Sequence, residues 1–187
     1  MLCDLLLLYT TLIRAVPELV LILLIYFAGT DLINRVMEAL GHGPIDISGQ
    51  AAGIVALGFV QGAYATEVLR GAVLAVPQGQ IEAGRAFGMT PITLMRRITA
   101  PAMLPFAIPG LANLWLVATK NTALLAVVGF SELTLQTRQA AGATKAYFTF
   151  FMAAGALYLT LSLISNVAIG RMENWARRGQ PSTAEKR

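Results

Sequence analysis

The sequence has few charged residues, one histidine and one cysteine. Only 13% of its 187 residues are Asp, Glu, Lys or Arg, whereas an average soluble domain has roughly 25%. The single cysteine excludes a disulfide framework, and the single histidine excludes a metal cluster built from histidines. The net charge of +4 is small, and the basic residues are not gathered into a nucleic-acid-binding stripe. Since 56% of the residues are apolar, the composition predicts an integral membrane protein.

Three stretches without any charged residue are long enough to cross a bilayer. They contain 20, 22 and 25 residues, at positions 47–66, 98–119 and 146–170, and a membrane-spanning helix needs about 20 residues. The fourth stretch, at 19–30, has only 12, but apolar residues precede it. The sequence therefore predicts an all-α protein in which a single membrane domain at 1–178 precedes a tail at 179–187. Its four spans are predicted at 11–30, 47–66, 102–131 and 147–170.

Lysine and arginine are unevenly distributed between the predicted spans. Ten lie near the start of the first span, between the second and third spans, or after the fourth, whereas three lie in the remaining two segments and Lys120 lies within the third span. Because basic residues accumulate on the cytoplasmic side of a membrane, both ends of the chain are predicted to be cytoplasmic. The outer segment 31–46 is predicted to be a separate surface helix that Gly41 ends.

The segment at 77–101, named the signature segment below, has the pattern of two short helices joined by a turn. Pro77 suits the start of the first helix, and Gly88 suits a left-handed turn. Thr90 followed by Pro91 is typical of the cap and first residue of a second helix. Such a cytoplasmic helix–turn–helix is well suited to dock into a groove of a partner protein.

The prolines that follow lead to two further predictions. Pro101 is predicted to end the second short helix. Pro101, Pro105 and Pro109 lie four residues apart, so their missing N–H groups would ease bending where the next span begins.

Several residues of the signature segment occur at fixed offsets that resemble a known pattern: Glu82, Ala83, Gly84, Gly88, Ile98, Ala100 and Pro101. The spacing resembles the loop of ABC-transporter permease subunits, which has Glu-Ala-Ala, then Gly, then Ile, and usually ends in Leu-Pro. Gly84 replaces the third Ala, and Ala100 replaces Leu. The resemblance implies that Glu82, Ala83, Gly84, Gly88, Ile98 and Pro101 dock onto a separate ATPase subunit.

Other stretches resemble the polar amino-acid permeases within that family. They are Arg14–Val20, Gly62–Glu67, Val76–Gln80 and Lys120–Leu124, and the similarity extends over about 9–178. The details most resemble subunits that serve histidine, lysine, arginine, ornithine or opine uptake. This implies a type I importer permease in a bacterial inner membrane, with a second permease, alike or paralogous, an ABC ATPase and an extracytoplasmic binding protein as partners.

The chain itself has no G-x-x-x-x-G-K-[ST] phosphate-binding loop. It is therefore expected to be a non-catalytic subunit without a cofactor of its own, and ATP and Mg²⁺ would bind to the partner ATPase. Members of the subfamily usually have five spans, so the first span is expected to be missing here. A gene-model error, a truncation and a real variant all remain open.

Three charged residues are candidates for a transport pathway or a subunit interface. Lys120 interrupts a long apolar stretch, where insertion of a charged side chain costs roughly 2.5–3.5 kcal/mol. Glu67 and Arg70 are three positions apart near the end of a span, where they either form a local ion pair or line the pathway. Two alternative functions stay open, a secondary transporter or channel subunit and an inert truncated permease. A membrane enzyme is disfavoured because no catalytic constellation is present.

Overall fold

The computed structural model describes residues 2–45 and 47–177. All regular structure in these residues is helical. A π-helical turn spans Met95–Thr99, and a 3-10 helix spans Thr122–Val128. The α-helices are α1 (Leu2–Ala15), α2 (Glu18–Ala39), α3 (Gly49–Leu74), α4 (Gln78–Ala86), α5 (Pro91–Leu94), α6 (Ala100–Asn121), α7 (Leu133–Thr144) and α8 (Tyr147–Ala176).

Four helical stretches within the described residues are long and apolar enough to cross a membrane. They are Glu18–Ala39, Gly49–Leu74, Pro91–Val128 and Tyr147–Ala176. Large apolar side chains such as Leu24, Phe148 and Leu163 are exposed along them, as expected of helices that face lipid. The prediction of an all-α protein with about four membrane helices is confirmed.

The helix ends near the first span differ from the expectation. The helix is interrupted at Pro17, whose missing N–H and fixed φ separate α1 from α2. Helix α2 then continues to Ala39, so the surface helix predicted at 31–46 is not a separate element. Gly41 does follow the helix end in the left-handed conformation, with φ +78°. The His42 N–H donates to the Met37 carbonyl at 2.9 Å, which completes a Schellman motif.

The chain forms two compact units. The first contains the residues up to Tyr64 together with Leu116–Leu161, and the second contains Ala65–Trp115 together with the residues from Ser162 onward. Helices α3, α6 and α8 each continue from one unit into the other. The predicted membrane domain at 1–178 and its tail stay a prediction, and the tail lies outside the described residues.

The core of the first unit consists of two apolar clusters. Glycines on α3 allow close packing there, since a Cβ on Gly49 would lie 2.9 Å from the Val128 carbonyl oxygen and one on Gly53 would lie 3.3 Å from the Leu125 side chain. These two approaches show that α3 runs antiparallel to the 3-10 helix. One cluster contains Ile13, Leu21, Val60 and Ala63, and the other contains Ile22, Ala56, Leu125 and Val128 with Leu57 packed against it.

The second unit packs α3 against α6 and α6 against α8. A Cβ on Gly110 would lie 2.5 Å from a methyl group of Val68, so only glycine permits this separation. The indole N–H of Trp115 donates to the Ser165 hydroxyl at 3.2 Å, which joins α6 to α8. The signature segment belongs entirely to this unit.

Candidate functional site

The signature segment has the predicted helix–turn–helix structure. Gly88 adopts φ +72°, and its N–H donates to the Arg85 carbonyl at 2.9 Å. The Thr90 side chain caps α5 by accepting from the Thr93 N–H at 3.4 Å, and Pro91 is the first helical residue. Gly88, Thr90 and Pro91 therefore form the turn and the helix start that the sequence predicts.

The expectation that Pro101 ends the second short helix is wrong. Helix α5 continues through the π-helical turn into α6 without interruption. The Ala100 N–H donates to the Met95 carbonyl, five residues earlier. Pro101 directly follows the π-helical turn, and the widened turn takes in Arg97, the residue whose carbonyl a proline at this position crowds.

The residues predicted to dock onto an ATPase occupy two kinds of position. Glu82, Ala83, Gly88 and Pro101 are exposed, Gly84 is buried and Ile98 is half-buried. The structure brings Gly84 and Ile98 together, because a Cβ on Gly84 would lie 2.7 Å from the Cδ1 of Ile98. The other residues are spread over the surface of α4, the turn and the start of α6.

Two large apolar side chains stand out on either side of the turn. Phe87 is 84% exposed and Ile92 is 80% exposed. The sequence analysis did not single out Phe87, although an aromatic residue directly before a predicted left-handed glycine is a usable signal.

The first unit contains three polar side chains, named the polar layer here, whose positions along their helices imply a common level: Glu18, Gln61 and Asn121. Each lies four residues from a member of one apolar cluster, namely Ile22, Leu57 and Leu125 respectively. Gln61 follows Leu57 in the chain, whereas Asn121 precedes Leu125. Because α3 runs antiparallel to the 3-10 helix, both residues are displaced from the apolar cluster in the same direction. Sequence reasoning missed this layer, since its members are far apart along the chain.

The polar layer is only partly satisfied by hydrogen bonds. The Asn121 side-chain amide donates to the Glu18 carboxylate. Both polar atoms of the Gln61 amide are buried, and neither has a hydrogen-bond partner among the described residues. Gln61 lies midway along the 26-residue helix α3. A buried amide without a partner costs about 1–3 kcal/mol, so its retention calls for an explanation.

The three predicted pathway residues are not gathered in one unit. Lys120 belongs to the first unit and is exposed in the last turn of α6. Glu67 and Arg70 belong to the second unit, where Arg70 Nη2 lies 2.7 Å from a Glu67 carboxylate oxygen. Of the two readings for this pair, the structure contains the local ion pair.

A further acidic residue, Glu132, organises the start of α7 in the first unit. Its carboxylate accepts from the backbone N–H groups of Thr134 and Leu135, both at 2.7 Å. It also accepts from the Tyr158 hydroxyl of α8 at 3.1 Å. The two backbone hydrogen bonds make Glu132 the N-cap of α7.

The chain resembles several permeases over most of its length. Residues 2–178 match a family described as "Binding-protein-dependent transport system inner membrane component". The chain is 47% identical to the histidine/lysine/arginine/ornithine transport system permease protein HisQ of Escherichia coli, covering 84% of this chain and 69% of HisQ. It is 43% identical to the nopaline transport system permease protein NocQ of Agrobacterium fabrum, covering 91% and 73%.

Solved structures show the same fold. A crystal structure of an amino acid ABC transporter with histidines matches with a TM-score of 0.73 and 31% identity, covering 89% of this chain and 72% of that one. The MetNI methionine ABC transporter matches with a TM-score of 0.71 at 24% identity, which supports the fold alone. The expected resemblance to polar amino-acid permeases and the function as an importer permease subunit are both confirmed. The chain belongs to the family of binding-protein-dependent transport system inner membrane components.

Proposed function

We propose that this chain forms half of the membrane pathway for a basic amino acid or an opine, driven by a separate ATPase subunit. The observation that carries this proposal is its 47% identity to HisQ over 158 residues. HisQ and the similar ArtQ are named for transport of basic amino acids, and NocQ is named for an opine.

The signature segment is the proposed docking element for the ATPase. Phe87 and Ile92 extend from either side of the Gly88 turn and are available to enter an apolar groove. Buried apolar anchors surrounded by polar contacts carry most of the affinity in protein interfaces. ATP and Mg²⁺ would be held by that ATPase, and this chain would act without a cofactor of its own.

The remaining partners follow from the family. A second permease, alike or paralogous, would complete the pathway, and an extracytoplasmic binding protein would contact the outer segments 31–46 and 132–146. In this arrangement the C-terminus would lie in the cytoplasm, which the distribution of basic residues supports.

The polar layer is the part of the first unit best suited to contact a cationic substrate. Glu18 supplies a carboxylate, and the buried Gln61 amide supplies a donor and an acceptor. Polar groups inside a membrane domain typically line pathways or interfaces. Lys120 is assigned to the pathway or the permease interface, whereas Glu67 and Arg70 are assigned to the local ion pair at the end of the span.

The test is ATP-dependent uptake by the assembled transporter. The chain is co-expressed with the ATPase, second permease and binding protein encoded by its neighbouring genes, and uptake of radiolabelled arginine into vesicles is measured with histidine, an opine and leucine as competitors. We expect uptake that requires ATP and is reduced by histidine or the opine but not by leucine. Uptake driven by an ion gradient without the ATPase would instead identify a secondary transporter, and absence of all uptake would identify an inert remnant.

A further inference from the structure

The third position of the signature, Gly84, faces a space that another side chain already fills. A Cβ at this position would lie 2.5 Å from the Cδ1 of Leu94 and 2.7 Å from the Cδ1 of Ile98. Cβ atoms are essentially never found at such distances, so an alanine here forces a neighbour to move. Leu94 is the more restricted neighbour, because it is only 8% exposed.

The backbone on both sides of this contact is held by hydrogen bonds. The Gly84 carbonyl accepts from the Met89 N–H at 3.1 Å across the turn. The Leu94 N–H donates to the Thr90 carbonyl at 2.8 Å, within a helix that the Thr90 side chain caps. The first bond holds the turn to the end of α4, and the second keeps α5 helical around Leu94. Between these two short helices, the sizes of the side chains at their contact set the separation of α4 and α5.

We propose that Gly84 and Leu94 form a size-matched pair that positions the two helices of the signature segment. Leu94 fills the space that is left by glycine at a position where the family usually has alanine. The pair holds Phe87 and Ile92, on either side of the turn, at the separation needed for docking. Gly84 and Leu94 thus act as positioning residues, and this last consequence rests on the proposed docking function.

Gly79 provides a matched control in the same helix. It is exposed in α4, and a Cβ added there would have no neighbour within 4 Å. The experiment compares G84A, L94V, the double variant G84A/L94V and G79A. Valine at position 94 has no Cδ atom, so it removes the atom nearest to the added methyl group.

The first measurement is the thermal stability of the purified chain in detergent, which does not depend on any partner. Overpacking in a tight site is typically destabilising, so we expect G84A to lower the Tm and L94V to lower it slightly. The double variant should recover part of the loss from G84A, because the Cδ1 of Ile98 remains 2.7 Å from the added methyl group. G79A should match the wild type. A double variant no more stable than G84A alone would overturn the size-matched pair, whether or not the chain docks onto an ATPase.

The second measurement separates positioning from mere stability. Ala86→Cys, at an exposed position directly before Phe87, is introduced in a Cys3→Ser background, and its crosslinking yield to the ATPase is compared at equal amounts of inserted chain and below the Tm of every variant. We expect G84A to lower the yield about tenfold, the change that overpacking of ~1.4 kcal/mol produces, and L94V to restore part of it in the double variant. Equal yields in all variants would overturn the positioning role. Failure of the Ala86→Cys chain without further changes to crosslink would instead contradict the docking proposal, and the stability cycle would still decide the pair.

Discussion

The signature segment and the polar layer are built by opposite means. In the signature segment, a left-handed glycine, a threonine cap and a proline at the first helical position act within a few residues of one another. In the polar layer, the Asn121 amide reaches Glu18 across 103 positions of the chain. The first region therefore depends on local backbone chemistry, and the second depends on how the helices of its unit pack.

The largest effect is expected from breaking the local turn of the signature segment. Gly88→Val places a β-branched residue at φ +72°, where such residues are genuine outliers. We expect normal membrane insertion but loss of ATPase-coupled uptake. Gly88→Asn is the matched control, because asparagine tolerates the left-handed conformation, and it should retain most of the uptake. Normal uptake by the valine variant would refute the docking assignment.

The next largest effect tests the charge in the polar layer. Glu18→Gln keeps a carbonyl oxygen that accepts from the Asn121 amide but removes the negative charge. Since a hydrogen bond to a charged group contributes about 1.5–3 kcal/mol, we expect arginine uptake to fall by about ten- to a hundredfold, with a raised KM. Measurement of KM and maximal rate at equal expression checks this. An unchanged KM would show that the carboxylate is structural.

At Gln61 we expect a smaller effect on uptake, together with an increase in stability. Replacing the amide with a side chain of similar size in Gln61→Leu removes two buried polar atoms without partners and should raise the free energy of unfolding by about 1 kcal/mol. If the amide contacts the substrate, the same variant lowers uptake despite its greater stability. Ile54→Leu, on an exposed part of α3, is the control. Unchanged uptake in Gln61→Leu would remove Gln61 from the pathway.

The smallest effects separate local from tertiary contacts at a single carboxylate. Glu132→Ala removes the cap of α7, which costs about 0.5–2 kcal/mol, together with the acceptor of the Tyr158 hydroxyl. Tyr158→Phe keeps the cap and removes the long-range contacts of the hydroxyl with Glu132 and Thr134, each of which contributes roughly 0.5–1.5 kcal/mol. Thermal unfolding in detergent compares the two, and the alanine variant should be the less stable. The reverse order would mean that the contact of the hydroxyl with Thr134 outweighs the cap.

The sequence predicted the elements whose signals are local. The uncharged stretches predicted the four spans, and Gly41 and Gly88 marked left-handed helix ends. The prediction failed at Pro101, because a π-helical turn lets the helix continue where a proline was expected to end it. It also failed at 31–39, where no breaking residue separates this stretch from the apolar helix before it.

The polar layer could not be predicted from the sequence alone. Neither Glu18 nor Gln61 carried a sequence signal that indicates such a layer. Their relation depends on the register of α3 against α2 and the 3-10 helix, which apolar packing around Ile22 and Leu125 sets. Lys120 shows the converse, since its position in an apolar stretch was evident while its exposure was not.

By itself, the sequence determined that this chain is a helical membrane protein with about four spans, and it determined the turn of the signature segment. Low charge and uninterrupted apolar runs suffice for the first, because a bilayer admits helices of a set length. Glycine, threonine and proline suffice for the second, because they act on the backbone within one or two turns. Only the tertiary structure decided the polar layer and the fit of Leu94 against Gly84, since side chains from different helices meet there and their distances depend on packing.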